Sequence, residues 1–257
     1  MSADDLLTVL DIEPGKLGRA LAAAAMWTSA DKTLPGVRAV ILRVDAAART
    51  VRCVGTDRYR IMDVTIELDE HEGIIGDPIL HDCWIPTPHT QALARDLRAL
   101  KWARSTPAHL RTIEVGIERT PLDRPSRASL PEPWAGLCER AGLITALGDV
   151  AEVFGVTSAG DGSGTNAAGI MRLADDMAAR PLATHPEPWA VNAHLIADLA
   201  KVPTSASRDH LSPWRFAETS PGPHGSFGPI RVTPTSPDVT PGVRYVGHIY
   251  PIRPATL

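Results

Sequence analysis

The chain has 257 residues, 44% of them hydrophobic, and a formal net charge of -4. That is enough apolar material for one large domain or two of ordinary size, and it excludes global disorder. The mild acidity excludes a basic coat over the whole surface and leaves room for a local basic face.

Three cysteines, Cys53, Cys83 and Cys138, lie far apart and include no C-x-x-C pair. A zinc ribbon is not expected, and a reduced, cytoplasmic setting is. The acidic start Met1-Ser2-Ala3-Asp4-Asp5 lacks the basic region of a signal peptide. The longest apolar run, Ala20 to Trp27, is too short to span a bilayer, so no membrane partner is expected.

Leu6 to Ile12 reads as a strand, closed by Glu13-Pro14-Gly15. Residues 16–28 then read as a helix, because Leu17, Leu21, Ala24 and Ala25 recur at helical spacing. Lys16 and Arg19 fall on its other side. The alanines 22–25 favour helix and give it a slim profile suited to packing on a sheet. After a polar loop over 29–36, Val37 to Asp45 alternates as a half-buried strand does. Ala46-Ala47-Ala48 joins it to a returning strand, Thr50 to Val54. A polar corner, Gly55-Thr56-Asp57, follows, and a further strand runs from Tyr59 to Leu68. Gly and Asp give the corner turn chemistry. Arg58, Tyr59 and Arg60 are unusual turn residues: they make either the polar rim of a hairpin or one wall of a binding site.

Asp69 to Asp82 reads as an acidic, Gly-containing loop. Trp84-Ile85-Pro86 is a short strand. Thr87 is placed to cap a helix with Pro88 as its first residue, running to about Trp102. Leu93, Leu97 and Leu100 form its apolar stripe, and Arg95, Arg98 and Lys101 form a basic ridge on a different side. Leu110 to Arg119 is a strand. The first 120 residues thus hold a repeated unit of strand, helix and strands. Pro121 to Ser129 is the linker candidate, dividing the chain into domains at 1–125 and 130–257.

Beyond it, Ala135 to Phe154 reads as a helix. Residues 158–169 form a Gly-rich loop without the Lys of a Walker motif and without G-x-G-x-x-G spacing. Residues 167–180 fit helix or strand equally. Trp189-Ala190-Val191 is a short strand, and Asn192 is placed to cap a helix. That helix has Leu195, Ile196, Leu199 and Val202 on one side, with His194, Asp198 and Lys201 opposite. Strands follow at Trp214–Glu218, Pro229–Pro234 and Val243–Tyr250. Catalytic signatures are missing: there is no H-E-x-x-H, no G-x-S-x-G elbow at Ser163, and only adjacent carboxylate pairs. No catalytic residue, metal or cofactor is expected.

Leu7 to Val64 resembles one domain of the bacterial DNA polymerase III beta sliding clamp family. The likeness lies in the opening strand, the helix Lys16-Leu17-Gly18-Arg19-Ala20-Leu21, the hairpin at 37–44 and the corner Val54-Gly55-Thr56-Asp57-Arg58-Tyr59-Arg60-Ile61. Clamps carry an Ala-Thr-Asp-Gly-His-Arg-Leu-like motif at that corner. Here Gly55 stands for Ala, Arg58-Tyr59 for Gly-His and Ile61 for Leu. Leu130-Pro131-Glu132-Pro133-Trp134 is similar to the segment before the last clamp domain. Ala190 to Val202 resembles that domain's second helix. Arg244 to Arg253 is similar to the terminal strand ending Met-Pro-x-Arg, with Tyr250 for Met. The segment 135–188 departs most from the pattern.

The resemblance implies an α+β DNA-clamp fold of repeated βαβββ-type units, with antiparallel sheets outside and helices inside. It implies a non-enzymatic processivity factor for DNA replication that encircles double-stranded DNA without reading sequence. Lys16, Arg19, Arg95, Arg98, Lys101 and Lys201 would face the phosphates. A pocket of Thr56, Tyr59, Arg60 and Ile61 with Tyr250, Pro251, Ile252 and Arg253 would take short peptide motifs of a DNA polymerase and a clamp loader. Two domains per chain imply a homo-oligomer, a trimer, for a ring of six. The alternatives are a monomeric clamp-like adaptor or decoy, and an unrelated enzyme using the Gly-rich loop.

Overall fold

The computed structural model describes residues 7–31, 37–76, 83–100, 113–120, 138–147, 150–159, 167–184, 190–204, 213–221, 228–235 and 239–251. The first unit is β1 (Leu7–Ile12), α1 (Pro14–Ala25), β2 (Ala39–Asp45), β3 (Thr50–Thr56) and β4 (Arg60–Glu67). A short β5 (Gly73–Gly76) follows, inside the segment expected to be loop. It pairs antiparallel with β1, Thr8 opposite Gly76. The second unit is β6 (Cys83–Pro86), α2 (Thr87–Ala99), β7 (Ile113–Thr120), β8 (Cys138–Leu147) and β9 (Val150–Ala159). Then come α3 (Ala167–Ala179), α4 (Ala193–Leu199), β10 (Trp214–Glu218), β11 (Ile230–Pro234) and β12 (Val243–Ile249).

The fold is α+β, and its strands form one antiparallel sheet in the order β10-β11-β12-β4-β3-β2-β6-β9-β8-β7-β1-β5. The first two units exchange their opening strands: β1 pairs with β7, and β6 with β2. The sequence from α4 through β10, β11 and β12 repeats the later part of the same unit, and β12 lies along β4. The linker expected at 121–129 lies outside the described residues. The sheet is continuous across it, because β8 pairs with β7 and β9 with β6.

The helix expected over 135–154 is instead the hairpin β8–β9, with Leu147 opposite Val150. A short apolar run without turn markers is ambiguous between the two states. Here Val150, Val153, Val156 and Thr157 are β-branched, which favours strand. Residues 167–180, which fit both states, are helical in α3. Thr87 is not a cap: Pro86 holds that position, and the Thr87 hydroxyl lies 2.7 Å from the Arg38 carbonyl to which it donates. Asn192 does cap α4, its Oδ1 accepting the His194 N–H at 3.4 Å.

Alternation sends the strands' side chains to two faces. Val40, Leu42, Val51, Cys53, Met62, Val64, Tyr245 and Ile249 join the main core under α1, α2 and α4. From the helices come Leu17, Leu21, Leu93, Leu97, Leu195 and Leu199, as their spacing predicted. Each such fully buried side chain contributes about 2 kcal/mol. Ile196, expected with them, is exposed. Helix α1 sits very close to the sheet: a Cβ on Gly55 would lie 2.0 Å from the Ala24 carbonyl oxygen. The alanine run and Gly55 are therefore one packing device. The indole of Trp27 crosses Gly247 in the same way, 2.7 Å from where a Cβ would be. On the opposite face, Ala39, Ile41, Val54 and Ile61 pack against Met171, Ala174 and Met177 of α3.

Candidate functional site

The corner between β3 and β4 and the end of β12 are direct neighbours. Thr56 pairs with Ile61 across the hairpin, Ile249 pairs with Arg60, and the Tyr250 N–H donates to the Tyr59 carbonyl at 2.9 Å. Two residues shape the turn. Asp57 Oδ1 accepts the N–H groups of Tyr59 and Arg60, both at 3.0 Å. The Thr56 hydroxyl donates to the Arg60 carbonyl at 2.8 Å and accepts the Arg58 N–H at 3.1 Å. This is the self-bonding turn chemistry of Asp and Thr. Arg58 takes φ 80°, in the left-handed region.

Tyr59 is left projecting, 63% exposed. Tyr250 and Pro251 stand beside it at the end of β12 and are partly exposed. Burial of part of the Tyr250 ring raises its phenol pKa. Arg60 behaves differently. Its side chain is only 8% exposed, with Nε on Asp57 Oδ2 at 2.9 Å and Nη1 on Asp198 Oδ2 at 2.8 Å. Its guanidinium carbon lies 5.1 Å from the centroid of the Trp27 ring, a cation–π contact. Arg60 thus ties the corner to α4 and to the end of α1. Thr56 and Ile61 are buried, Ile61 in the cluster under α3. Of the eight pocket residues expected from sequence, Tyr59, Tyr250 and Pro251 present side chains to solvent. Thr56 and Arg60 hold the corner from within, Ile61 is buried in the cluster under α3, and Ile252 and Arg253 lie outside the described residues.

The six cations expected on the helix face divide in the same manner. Arg98 is exposed on α2. Arg95 is 75% exposed and touches Asp96 at 3.0 Å. Lys201 is 67% exposed and touches Asp198 Oδ1 at 2.8 Å, so Asp198 bridges Lys201 and Arg60. The hydrogen bond from Lys201 is the main reason the Asp198 carboxyl titrates below its ordinary value. Lys101 lies outside the described residues.

Lys16 and Arg19 are drawn inward. The Lys16 ammonium sits between Asp69 Oδ2 at 2.9 Å and Glu72 Oε2 at 2.8 Å. Burial alone would lower its pKa, and the hydrogen bonds it donates to Glu72 and Asp69 outweigh that and raise it. Arg19 is largely buried, 3.8 Å from Glu13, and burial lowers its pKa. Periodicity placed both residues off the Leu17–Leu21 stripe, but α1 is covered on more than that stripe. Its flank meets α2, where Gly18 faces Leu97 and Arg98, and its first turn meets the 69–72 turn. The acidic cluster Asp69-Glu70-His71-Glu72 was the available signal for a buried cation.

Among the described residues no group of three or more His, Cys, Asp or Glu is placed to hold a metal ion, and no helix is long and apolar enough to cross a membrane. No family model matches the chain, and no curated protein matches it. Among solved structures it is similar to a sliding clamp, DNA polymerase III subunit beta, from Bartonella birtlesii bound to griselimycin. The identity is 14% and the TM-score 0.41, over 97% of this chain and 52% of that one. The corresponding clamp from Pseudomonas aeruginosa, also bound to griselimycin, gives 14% and 0.45 over 98% and 67%. That from Bacillus subtilis gives 12% and 0.43 over 96% and 64%. The chain spans about half the length of the Bartonella protein.

Proposed function

We propose that the chain is a subunit of a sliding clamp, a processivity factor that encloses duplex DNA and tethers a polymerase to it. The observation that carries the reading is the placement of α1, α2 and α4 on one face of a continuous antiparallel sheet, with Arg95, Arg98 and Lys201 exposed on that side's helices and turns. The ordered motifs from Leu7 to Arg253 that resemble the clamp family support it. Cations that meet phosphates and not base edges give attachment that ignores sequence, weakens with salt and permits sliding. No chemistry is asked of the chain itself. Tyr59, Tyr250, Pro251, Ile252 and Arg253 would receive the apolar anchors of a polymerase or loader peptide, while Thr56, Arg60 and Ile61 fix the shape of the seat.

Enclosure requires several copies, three if each contributes two clamp domains. The test combines solution mass with retention on DNA. A mass near three times 27.5 kDa, with retention on nicked circles and loss on linearisation, is the expected result. A strict monomer at high concentration that never distinguishes circles from linear DNA overturns the ring.

One observation favours a second reading, a monomeric adaptor that binds clamp-binding peptides without DNA. Lys16 and Arg19 are withdrawn into the fold, and Arg95 and Lys201 each have an acidic neighbour. The cation density of the helix face is correspondingly low. Peptide binding that falls with Tyr59→Ala, in a protein that never retains circles, would select this reading.

A further inference from the structure

We infer that Arg180, just past the end of α3, is the carboxylate-recognising side chain of the peptide seat, so that the segment received by Tyr59 and Tyr250 carries an acidic group. The inference rests on the seat of the proposed function and adds to it the chemical class of its occupant.

Arg180 is brought to the seat by Arg231 of β11. Arg231 and His248 are register partners, and Tyr250 follows His248 by two residues, so alternation turns all three to one face of the sheet. Arg231 Nε donates to His248 Nε2 at 3.4 Å. Arg231 Nη2 donates to the carbonyls of Met177, Ala178 and Arg180 at 3.3, 3.0 and 2.7 Å. One guanidinium thus ties the end of α3 to β12, two residues short of Tyr250. The charge of Arg180 is felt at both rings. It opposes the rise that burial gives the Tyr250 phenol pKa, and it adds to burial and Arg231 in lowering that of His248.

This end of the seat lacks the negative charge that its cations call for. Arg52 and Arg60 each lie on carboxylates, Arg52 on Asp63 at 2.6 Å and Arg60 on Asp57 and Asp198 at 2.9 and 2.8 Å. Arg180 is half-buried, yet among the described residues its guanidinium has neither an ion pair nor a hydrogen bond. Burial lowers the pKa of Arg231, and no carboxylate opposes that fall. His248 gives a third sign. Its Nε2 accepts from Arg231, so the ring proton sits on Nδ1, which is buried without an acceptor. Two guanidiniums and a buried N–H therefore gather where no acid answers them. DNA phosphates are not the missing anion. The register partner of His248 on β4 is Ile61, in the cluster under α3, which places these groups on the face away from α1, α2 and α4. A peptide carboxylate is planar and matches the guanidinium fork by two parallel hydrogen bonds.

The probes are fluorescent, N-acetylated heptapeptides with a Leu-Phe pair at their centre. A single Glu is moved through the other positions, each with a Gln counterpart, and every peptide is made with an amidated and a free C-terminus. Binding to the full chain is read by anisotropy. At one Glu position, or at the free C-terminus, the carboxylate form should bind about tenfold more tightly than its neutral counterpart. Either gain supports the inference, and the position of the gain tells a side-chain carboxylate from a terminal one. The advantage should vanish in Arg180→Gln and persist in part in Arg180→Lys, which keeps the charge and loses the fork. It should remain whole in Arg172→Gln, which removes an exposed cation of α3. Tyr59→Ala should weaken acidic and neutral peptides alike. Peptides that bind and respond to Tyr59→Ala, but show no carboxylate advantage, keep it in Arg180→Gln or lose it equally in Arg172→Gln, overturn the role of Arg180 and leave the seat standing. Failure of every peptide to bind overturns the seat, and the inference with it.

Discussion

Lys16→Met takes one ammonium out of a four-part junction. The side chain joins the first turn of α1 to the 69–72 turn, and Arg49 Nη2 donates to the carbonyls of Asp69 and Glu72 from the neighbouring hairpin. The Lys16 side chain is 7% exposed, Glu72 1% and Asp69 53%. The loss is therefore concentrated on the pair with Glu72. Removing one member of a buried ion pair costs about 3–5 kcal/mol, because the other charge is left without its partner. Glu72 keeps two donors, the N–H groups of Glu13 at 2.8 Å and Asp69 at 3.0 Å. The lower end, about 3 kcal/mol, is the expected loss. Urea unfolding of the single variants and of Lys16→Met/Glu72→Gln measures it, and the double variant should recover part of the loss. The reasoning fails if Lys16→Met costs less than about 1 kcal/mol. It fails equally if the variant keeps its stability while its salt slope for DNA falls by about 0.9, which would place Lys16 on a phosphate.

Two further perturbations bear on the corner and on β12. Arg58 holds φ 80°, a conformation that glycine adopts freely, so Arg58→Gly should relieve about 1–2 kcal/mol of left-handed strain. Glycine's extra chain entropy offsets about 0.5–1 kcal/mol of that, so the melting temperature should rise by a few degrees; a fall would mean that the Arg58 side chain makes a stabilising contact. His248 is buried on β12, and burial, then the charges of Arg231 and Arg180, hold its pKa at about 4. The unfolded state binds the proton from pH 6.5 downward and the folded state does not, so stability is full above about 6.5 and falls towards pH 4. The loss reaches about 3 kcal/mol and should vanish in His248→Gln, as denaturation midpoints across that range would read. A pH-independent midpoint in the unaltered chain would refute the burial argument.

Much of the local structure was legible in the sequence. Alternation located β1 to β4, β7 and β10 to β12, and helical spacing located α1, α2 and α4, because both patterns follow from which face is buried. Of the two residues expected to make the corner's turn, Asp57 does bond nearby backbone, whereas Gly55 lies within β3 and serves the close approach of α1. The hairpin β8–β9 stands where a helix is expected, since its apolar run fits two periods at once; its β-branched residues and its pairing with β7 and β6 select the strand. The site was half legible. Its two halves do lie together, but the exposure of each side chain depends on residues far away in the chain.

Sequence alone determined the helix–strand units and the adjacency of turn-forming residues, because those depend on neighbours within a few positions. Tertiary structure decided which cations meet water. Lys16 and Lys201 are alike as letters on helix sides, yet one finds Glu72 from 56 residues away in a site closed to solvent and the other remains in water. It likewise decided that Arg60 braces the corner from beneath while Tyr59 stands clear. A charge's role is fixed by its solvation and its partners, and the fold brings those together from distant parts of the chain.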